Sequence, residues 1–429
     1  MLAFALLNGA PTFPRQDHSF HLRGLLSYAE ERNEDAVAEL HAALASGERE
    51  LRWNEQHGWL PALLAAWDVP IASQVLVFSK TSFQNEFIAT SSPRAIYFSD
   101  SISIAWVPNA PVMEVMTIDP VQGPTFYTIA QEPEAPVFQR RDGECLQCHG
   151  SSRTRDWPGG LVRSVRTDPS GNPVFRAGTY LTTDRSPLRE RWGGWYVSGT
   201  HGSQRHMGNV VLKADEDTLD VEQGANITDL TSHFDTSRYL SPHSDIVALM
   251  VMEHQVSMQN VLARASYEGR IAADYQLTIN QALGHAPDFV SKSMQSRYDG
   301  VAATVVDHLL FRAEPQLRSP INGSSSFAID FSSRGRRDTR GRSLRELHLK
   351  RRLFQYRCSF LIYSPAFDRL PAPVLLRVWS QLGDVLRGRD VGRDFSYLTR
   401  NARRAILEIL IDTKEGLPED WSVASMIPK

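Results

Sequence analysis

The pattern of apolar and polar positions changes twice along this chain and divides it into three stretches. From about residue 21 to 46, Leu22, Leu25, Leu26, Ala29, Val37, Leu40 and Leu44 recur at helical spacing. Gly47 is a suitable stop. A second helical pattern covers 51–67, interrupted by Pro61. The texture changes at Val69-Pro70. Short β-rich runs follow at 75–78, 95–98, 102–107, 112–118 and 125–130, separated by Pro-, Gly- and Asn-containing turns. Segments 161–166 and 174–181, joined by an Asp-Pro-Ser-Gly-Asn-Pro turn, predict a hairpin, and 195–198 and 208–212 extend the β material. Beyond about residue 235 the pattern is helical again, over 245–264, 301–311, 344–354, 373–386 and 396–414, with a Ser/Gly/Arg-rich loop at 319–341.

The predicted class is therefore α+β. A short helical N-terminal segment (1–68) precedes a β-rich central region (69–235), and a mainly α-helical C-terminal half (236–429) closes the chain. Its 429 residues suffice for two or three domains, and 42% hydrophobic with 22% charged residues is a globular composition. A net charge of −3 argues against bulk nucleic-acid binding. No apolar run reaches the roughly 18–20 residues of a transmembrane span. Even the most apolar helix pattern is broken by Glu253, His254, Gln255 and Gln259.

The candidate chemistry lies in Arg140-Arg141-Asp142-Gly143-Glu144-Cys145-Leu146-Gln147-Cys148-His149-Gly150. Cys145-x-x-Cys148-His149 is the pattern that tethers haem in c-type cytochromes. Two thiols at that spacing each add to one porphyrin vinyl group, and the next histidine becomes the proximal iron ligand. The motif uses two of only three cysteines in the chain, and it reads as part of a haem-binding loop of the β-rich region that runs on through Pro158-Gly159-Gly160. A thioredoxin-like dithiol calls for a βαβ setting. A structural zinc site needs four ligands, and Cys358 stands alone. Cys358 reads as a buried apolar thiol.

A sixth iron ligand has its best source in residues 191–209, which hold His201, His206, Met207, Trp192, Trp195 and five glycines. Adjacent side chains diverge in an extended chain, so His206 and Met207 cannot both face the iron. Chemistry is neutral between them, and the spacing familiar from small cytochromes favours Met207. His201 and the mid-helix His254 are further candidates, and all three histidines have ordinary hydrogen-bonded alternatives. One or two of Arg140, Arg141, Arg153, Arg155, Arg163 and Arg166 are suited to pair with haem propionates. Trp157, Trp192 and Trp195 are suited to wall the haem edge or to serve as core. The arginines at 334, 336, 337, 340, 342 and 345 read as a solvated flexible loop or, alternatively, as a docking site for an acidic redox partner.

The motif thus resembles the c-type cytochromes. Pro93-Arg94-Ala95-Ile96-Tyr97-Phe98, Glu190-Arg191-Trp192-Gly193-Gly194-Trp195 and Cys358-Ser359-Phe360-Leu361-Ile362-Tyr363-Ser364 look like segments of large single-haem bacterial cytochrome c-domain proteins. The β-rich lead-in departs from the small class I fold, which sets the motif on an N-terminal helix. What the resemblance implies is one covalently attached haem c, iron binding and electron transfer with a redox partner protein. It transfers neither a reaction nor a distal ligand. It also implies export to the periplasm or beyond, where thiol addition takes place. Residues 1–11 read accordingly as the tail of a signal sequence lacking its basic start. The alternatives are a haem enzyme with an open distal position, peroxidase-like or oxidising a small molecule, and a non-haem zinc or dithiol protein.

Overall fold

The structure, a computed structural model, describes residues 34–213, 219–389 and 395–421. The expected signal remnant and the first half of the helix predicted from residue 21 lie outside them. The α+β expectation holds. Strands β1 (Val75–Val77), β2 (Arg94–Phe98), β3 (Ile102–Trp106), β4 (Val112–Asp119), β5 (Gly123–Ala130) and β6 (Phe138–Arg140) form an antiparallel meander. Strands β7 (Arg163–Val165) and β8 (Thr179–Leu181) make the predicted hairpin. Strand β9 (Trp195–Tyr196) pairs with β1 and completes a seven-stranded sheet. Finally β10 (Gly199–Thr200) pairs with β11 (Asn322–Gly323).

Strand side chains alternate between faces, and the two faces of β1 and β2 join different cores, Val75, Val77 and Phe98 in one and Leu76, Ala95 and Tyr97 in the other. Met113, Val115 and Ile129 bury one face under the N-terminal helices α1 (Ala36–Ala45) and α2 (Leu60–Ala66), against Val37, Leu40, Leu60, Leu63 and Leu64. The opposite face carries Glu114 and Met116 on β4, across from Thr128 and Phe126 on β5. Over this face lie α3 (Asp142–His149), which holds the cysteine motif, and the long α4 (Ile246–Leu283). Helices α5 (Lys292–Leu309), α6 (Phe327–Ser333), α7 (Pro365–Asp368), α8 (Ala372–Arg387) and α9 (Arg400–Thr413) complete the described elements. Among the described residues no helix is long and apolar enough to cross a membrane. The described residues, from Glu34 to Trp421, belong to one compact unit.

Helix α4 is the frame. Asp245 caps it by accepting from the amides of Val247 (2.7 Å) and Ala248 (3.4 Å). Its other oxygen accepts from Ser324 N, Ser325 N and Ser325 Oγ, which anchors the strand β11 connection. Gly284, in the left-handed region at φ 67°, ends it. Every residue from Ile246 to Gln259 is buried, so each polar side chain in that stretch needs an internal partner. Glu253 accepts from Arg191 at 2.7 Å. The His254 ring meets Ser359 Oγ at 2.8 Å and Asp184 at 3.5 Å. Gln255 and Gln259 donate to the carbonyls of Ser99 (2.6 Å) and Asp100 (2.8 Å) in the β2–β3 turn.

Several elements differ from the periodic reading. The motif sits on a helix and not in a loop. Within 51–67 only Leu60–Ala66 is helical, with Pro61 in its first turn, where a missing N–H costs nothing. Residues 208–212 form no strand, since Asn209 is left-handed at φ 69° and breaks the extended run. Residues 344–354 are not helical. Their backbone pairs elsewhere: Leu317 N and Ile321 N donate to Arg351 and Leu349 carbonyls, and His348 N donates to Leu353 O. Helix α4 continues past the predicted end at 264, and the segment 301–311 is the second half of α5. The loop at 319–341 contains α6.

Burial raises the Glu253 pKa from the usual 4.5 to about 6, with Arg191 opposing the shift. A carboxyl held above its unfolded value keeps its proton more tightly in the folded chain, so its contribution to stability falls as pH rises from 4.5 to about 6. Glu253→Gln removes that decline, and urea denaturation across this interval will show a more positive slope of stability against pH than in the parent. Arg191→Met leaves the carboxylate uncompensated and costs roughly 3–5 kcal/mol in the same measurement at pH 7.

Candidate haem-attachment site

Helix α3 converts the motif spacing into geometry. Residues three and four apart share a helix face, so Cys145, Cys148 and His149 project from one side of α3. Cys148 is exposed, and Cys145 and His149 are partly buried. The helix is seated on the sheet through Arg141, whose amide donates to Phe126 O (2.9 Å) and whose Nε donates to Thr128 Oγ1 (3.0 Å). At its other end the last carbonyls are capped by the following loop. Gly150 N donates to Leu146 O, Ser151 Oγ to Cys148 O (2.7 Å), and Thr154 Oγ1 and Gly159 N to His149 O (3.1 and 2.8 Å). Left-handed Arg155 and Asp156 turn the loop back, and Trp157 then stacks on Tyr267 of α4 at 4.9 Å and 11°.

The His149 ring packs on Phe126, 4.6 Å between centroids, and its Nδ1 lies 2.8 Å from the Gly159 carbonyl. A carbonyl only accepts, so Nδ1 carries the proton and Nε2 presents its lone pair. Burial lowers the ring's pKa, opposed by the Gly159 bond, with smaller influences from Arg94 and Glu114. Those two are themselves an ion pair at 2.5 Å on the same sheet face. The imidazole is therefore neutral at pH 7, the form a metal requires.

The residues present fit a covalently attached haem. Cys145 and Cys148 would carry the thioethers and His149 Nε2 would face the iron. Beside them the β7–β8 hairpin presents Phe175 (56% exposed), Tyr180 and Leu181 as uncovered apolar surface. Arg163 on β7 lies 4.9 Å over the Phe175 ring and within electrostatic reach of Arg153 and Cys148. Arg140 donates to Gln122 (3.1 Å) and Arg141 is engaged with the sheet. Trp192 is core, fully buried, and Trp195 donates from its indole to Arg163 O at 2.7 Å, which supports β7.

The distal candidates have other partners. Met207 is buried, and its sulfur accepts from Ser164 Oγ at 3.8 Å. His206 Nδ1 accepts from Gly208 N (3.0 Å), and burial pushes its pKa down to about 3. His201 uses both ring nitrogens, donating from Nδ1 to Gln204 O (2.7 Å) and accepting at Nε2 from Asn226 N (2.9 Å). His254 is stacked on Phe311 at 4.3 Å inside the helical half. None of these contacts involves α3. The arginines at 334, 336, 337 and 340 are exposed, as a solvated segment requires, and the cluster is also ion-paired. Arg334 pairs with Asp68, Arg337 with Glu346, Arg340 and Arg342 with Glu408, and Arg345 with Asp100. Arg336 donates to Thr413 O.

No family model, no curated protein and no solved structure matches the chain. Among the described residues, no group of three or more His, Cys, Asp or Glu side chains is arranged to hold a metal ion. Phe126 and the Gly159 carbonyl, which orient His149, are residues that sequence reasoning missed. The adjacent glycines after Trp157-Pro158 were the one available signal.

Exposure separates the thiols. Cys148 is exposed, whereas Cys358 is fully buried and its pKa is pushed up to about 12. Iodoacetamide will modify Cys148 within minutes in the folded, haem-free chain and Cys358 only in denaturant, as read by peptide mass mapping.

Proposed function

We propose that the chain is an exported c-type cytochrome that holds one covalently attached haem and transfers electrons to or from a partner protein. The observation that carries this reading is the 2.8 Å bond from His149 Nδ1 to Gly159 O, on a helix face shared with Cys145 and Cys148. It fixes the tautomer and leaves Nε2 for the iron, as an imidazole ligand requires. The haem, when bound, supplies an iron that cycles between ferric and ferrous states. The protein's part is to hold it, orient the ligand, and screen its edge with the apolar hairpin surface around Phe175, Tyr180 and Leu181. Export is part of the same reading, because thioether formation belongs to that compartment.

A second reading has a specific observation in its favour. Met207, His206, His201 and His254 all have other partners, which favours an open sixth position and a haem enzyme acting on a small ligand.

Expression with the periplasmic haem-attachment machinery tests both. The parent will stain for haem on a denaturing gel and Cys148→Ala will not; equal staining of the two would sink the attachment assignment. Sharp low-spin bands in the reduced spectrum support the electron carrier. A high-spin spectrum that shifts with cyanide gives the second reading priority.

A further inference from the structure

The carbonyl that receives the His149 proton belongs to the same peptide group as the Gly160 amide. That amide donates to Asn260 Oδ1 at 2.8 Å, and Asn260 Nδ2 donates back to Gly160 O at 2.9 Å. The amide orientation of Asn260 follows from its partners, since the N–H can only donate and the carbonyl can only accept. One planar unit therefore bridges the imidazole and helix α4: His149 Nδ1–H to Gly159 C=O, and Gly160 N–H to Asn260. The sequence around the bridge is built for close approach. A Cβ at Gly159 would stand 2.9 Å from Asn260 Oδ1, and one at Gly160 would stand 2.8 Å from Val256 Cγ1.

We propose that Asn260 is a positioning residue for the haem ligand, holding the Gly159–Gly160 peptide plane so that its carbonyl keeps His149 in the Nδ1–H tautomer and strengthens its donation through Nε2. The proposal rests on the haem reading for its consequence at the iron, but the clamp itself is a property of the haem-free chain. Two physical effects act together. Paired hydrogen bonds at Gly160 stop rotation of the peptide plane, so the carbonyl cannot swing away from the ring. A peptide whose N–H is donating is also a better acceptor at its oxygen, because chained hydrogen bonds polarise one another. A stronger acceptor at Nδ1 gives the ring more imidazolate character, which stabilises ferric over ferrous iron and lowers the potential. Helix α4 thus reaches the ligand from behind, through one side chain that touches neither cysteine.

The test uses the full chain labelled with 15N-histidine, with His149→Gln to assign the ring. In the haem-free parent the His149 nitrogens will report one tautomer, protonated at Nδ1. In Asn260→Leu they will move toward averaged values. In the haem-loaded proteins, Asn260→Leu will lower the iron–imidazole stretching frequency and raise the midpoint potential, with haem staining unchanged. A folded Asn260→Leu chain with parental ring shifts overturns the proposal. Should Leu prevent folding, Asn260→Ala removes both hydrogen bonds without a bulky side chain, and the same shifts decide. A parent that takes up no haem defeats the cytochrome reading alone, because the nitrogen shifts still report the clamp.

Discussion

A helix segment buried on every side must find an internal partner for each polar group it carries, and α4 carries several between Glu253 and Asn260. Glu253, His254, Gln255, Gln259 and Asn260 would each cost about 1–3 kcal/mol or more if left unsatisfied. Their partners come from widely separated parts of the chain: Arg191, Ser359 with Asp184, the β2–β3 turn, and Gly160. Satisfying one helix therefore fixes the sheet, the segment after β8, the C-terminal helices and the loop behind the cysteine motif in a single arrangement. The apolar residues between them, from Ile246 to Met258, supply the burial that makes the requirement strict.

The cysteine motif sits at the edge of this frame, and the contrast between its two sides is what suits it to chemistry. Toward the protein, His149 is packed on Phe126 and bonded to Gly159. Toward the outside, Cys148 is exposed beside the uncovered apolar residues of the hairpin. A covalently attached cofactor needs that combination, with accessible thiols for attachment and a rigidly oriented ring for ligation. The rest of the C-terminal half is tied to this arrangement through α4, against which α5, α6, α7 and α8 pack.

The buried charges follow the same logic. Arg191 with Glu253 sits where the segment around the hairpin meets α4, and the pair is enclosed. Such pairs contribute little net stability against an apolar alternative, but a mispaired arrangement leaves a bare charge and is strongly disfavoured. This one acts as a registration device between parts of the chain that meet only on folding.

Much of this was legible in the residues themselves. The β-rich runs at 95–98, 112–118 and 125–130 became β2, β4 and β5, because the residue types that fit a pleated surface are written locally. The Cys145-x-x-Cys148-His149 spacing marked the site, since three residues on one helix face need only a few positions of chain. What the sequence could not determine was set by contacts between distant segments. Residues 344–354 gave up helical spacing because their backbone pairs with 317–321. Met207 and His201 look like ligands in a list of residues, yet Ser164, Gln204 and Asn226 claim them in space. Asn260 looked like one more polar position on a helix, until folding brought it to Gly160, a hundred residues away in sequence. Local periodicity specifies which face a side chain takes; only the packed chain decides which distant group meets it there.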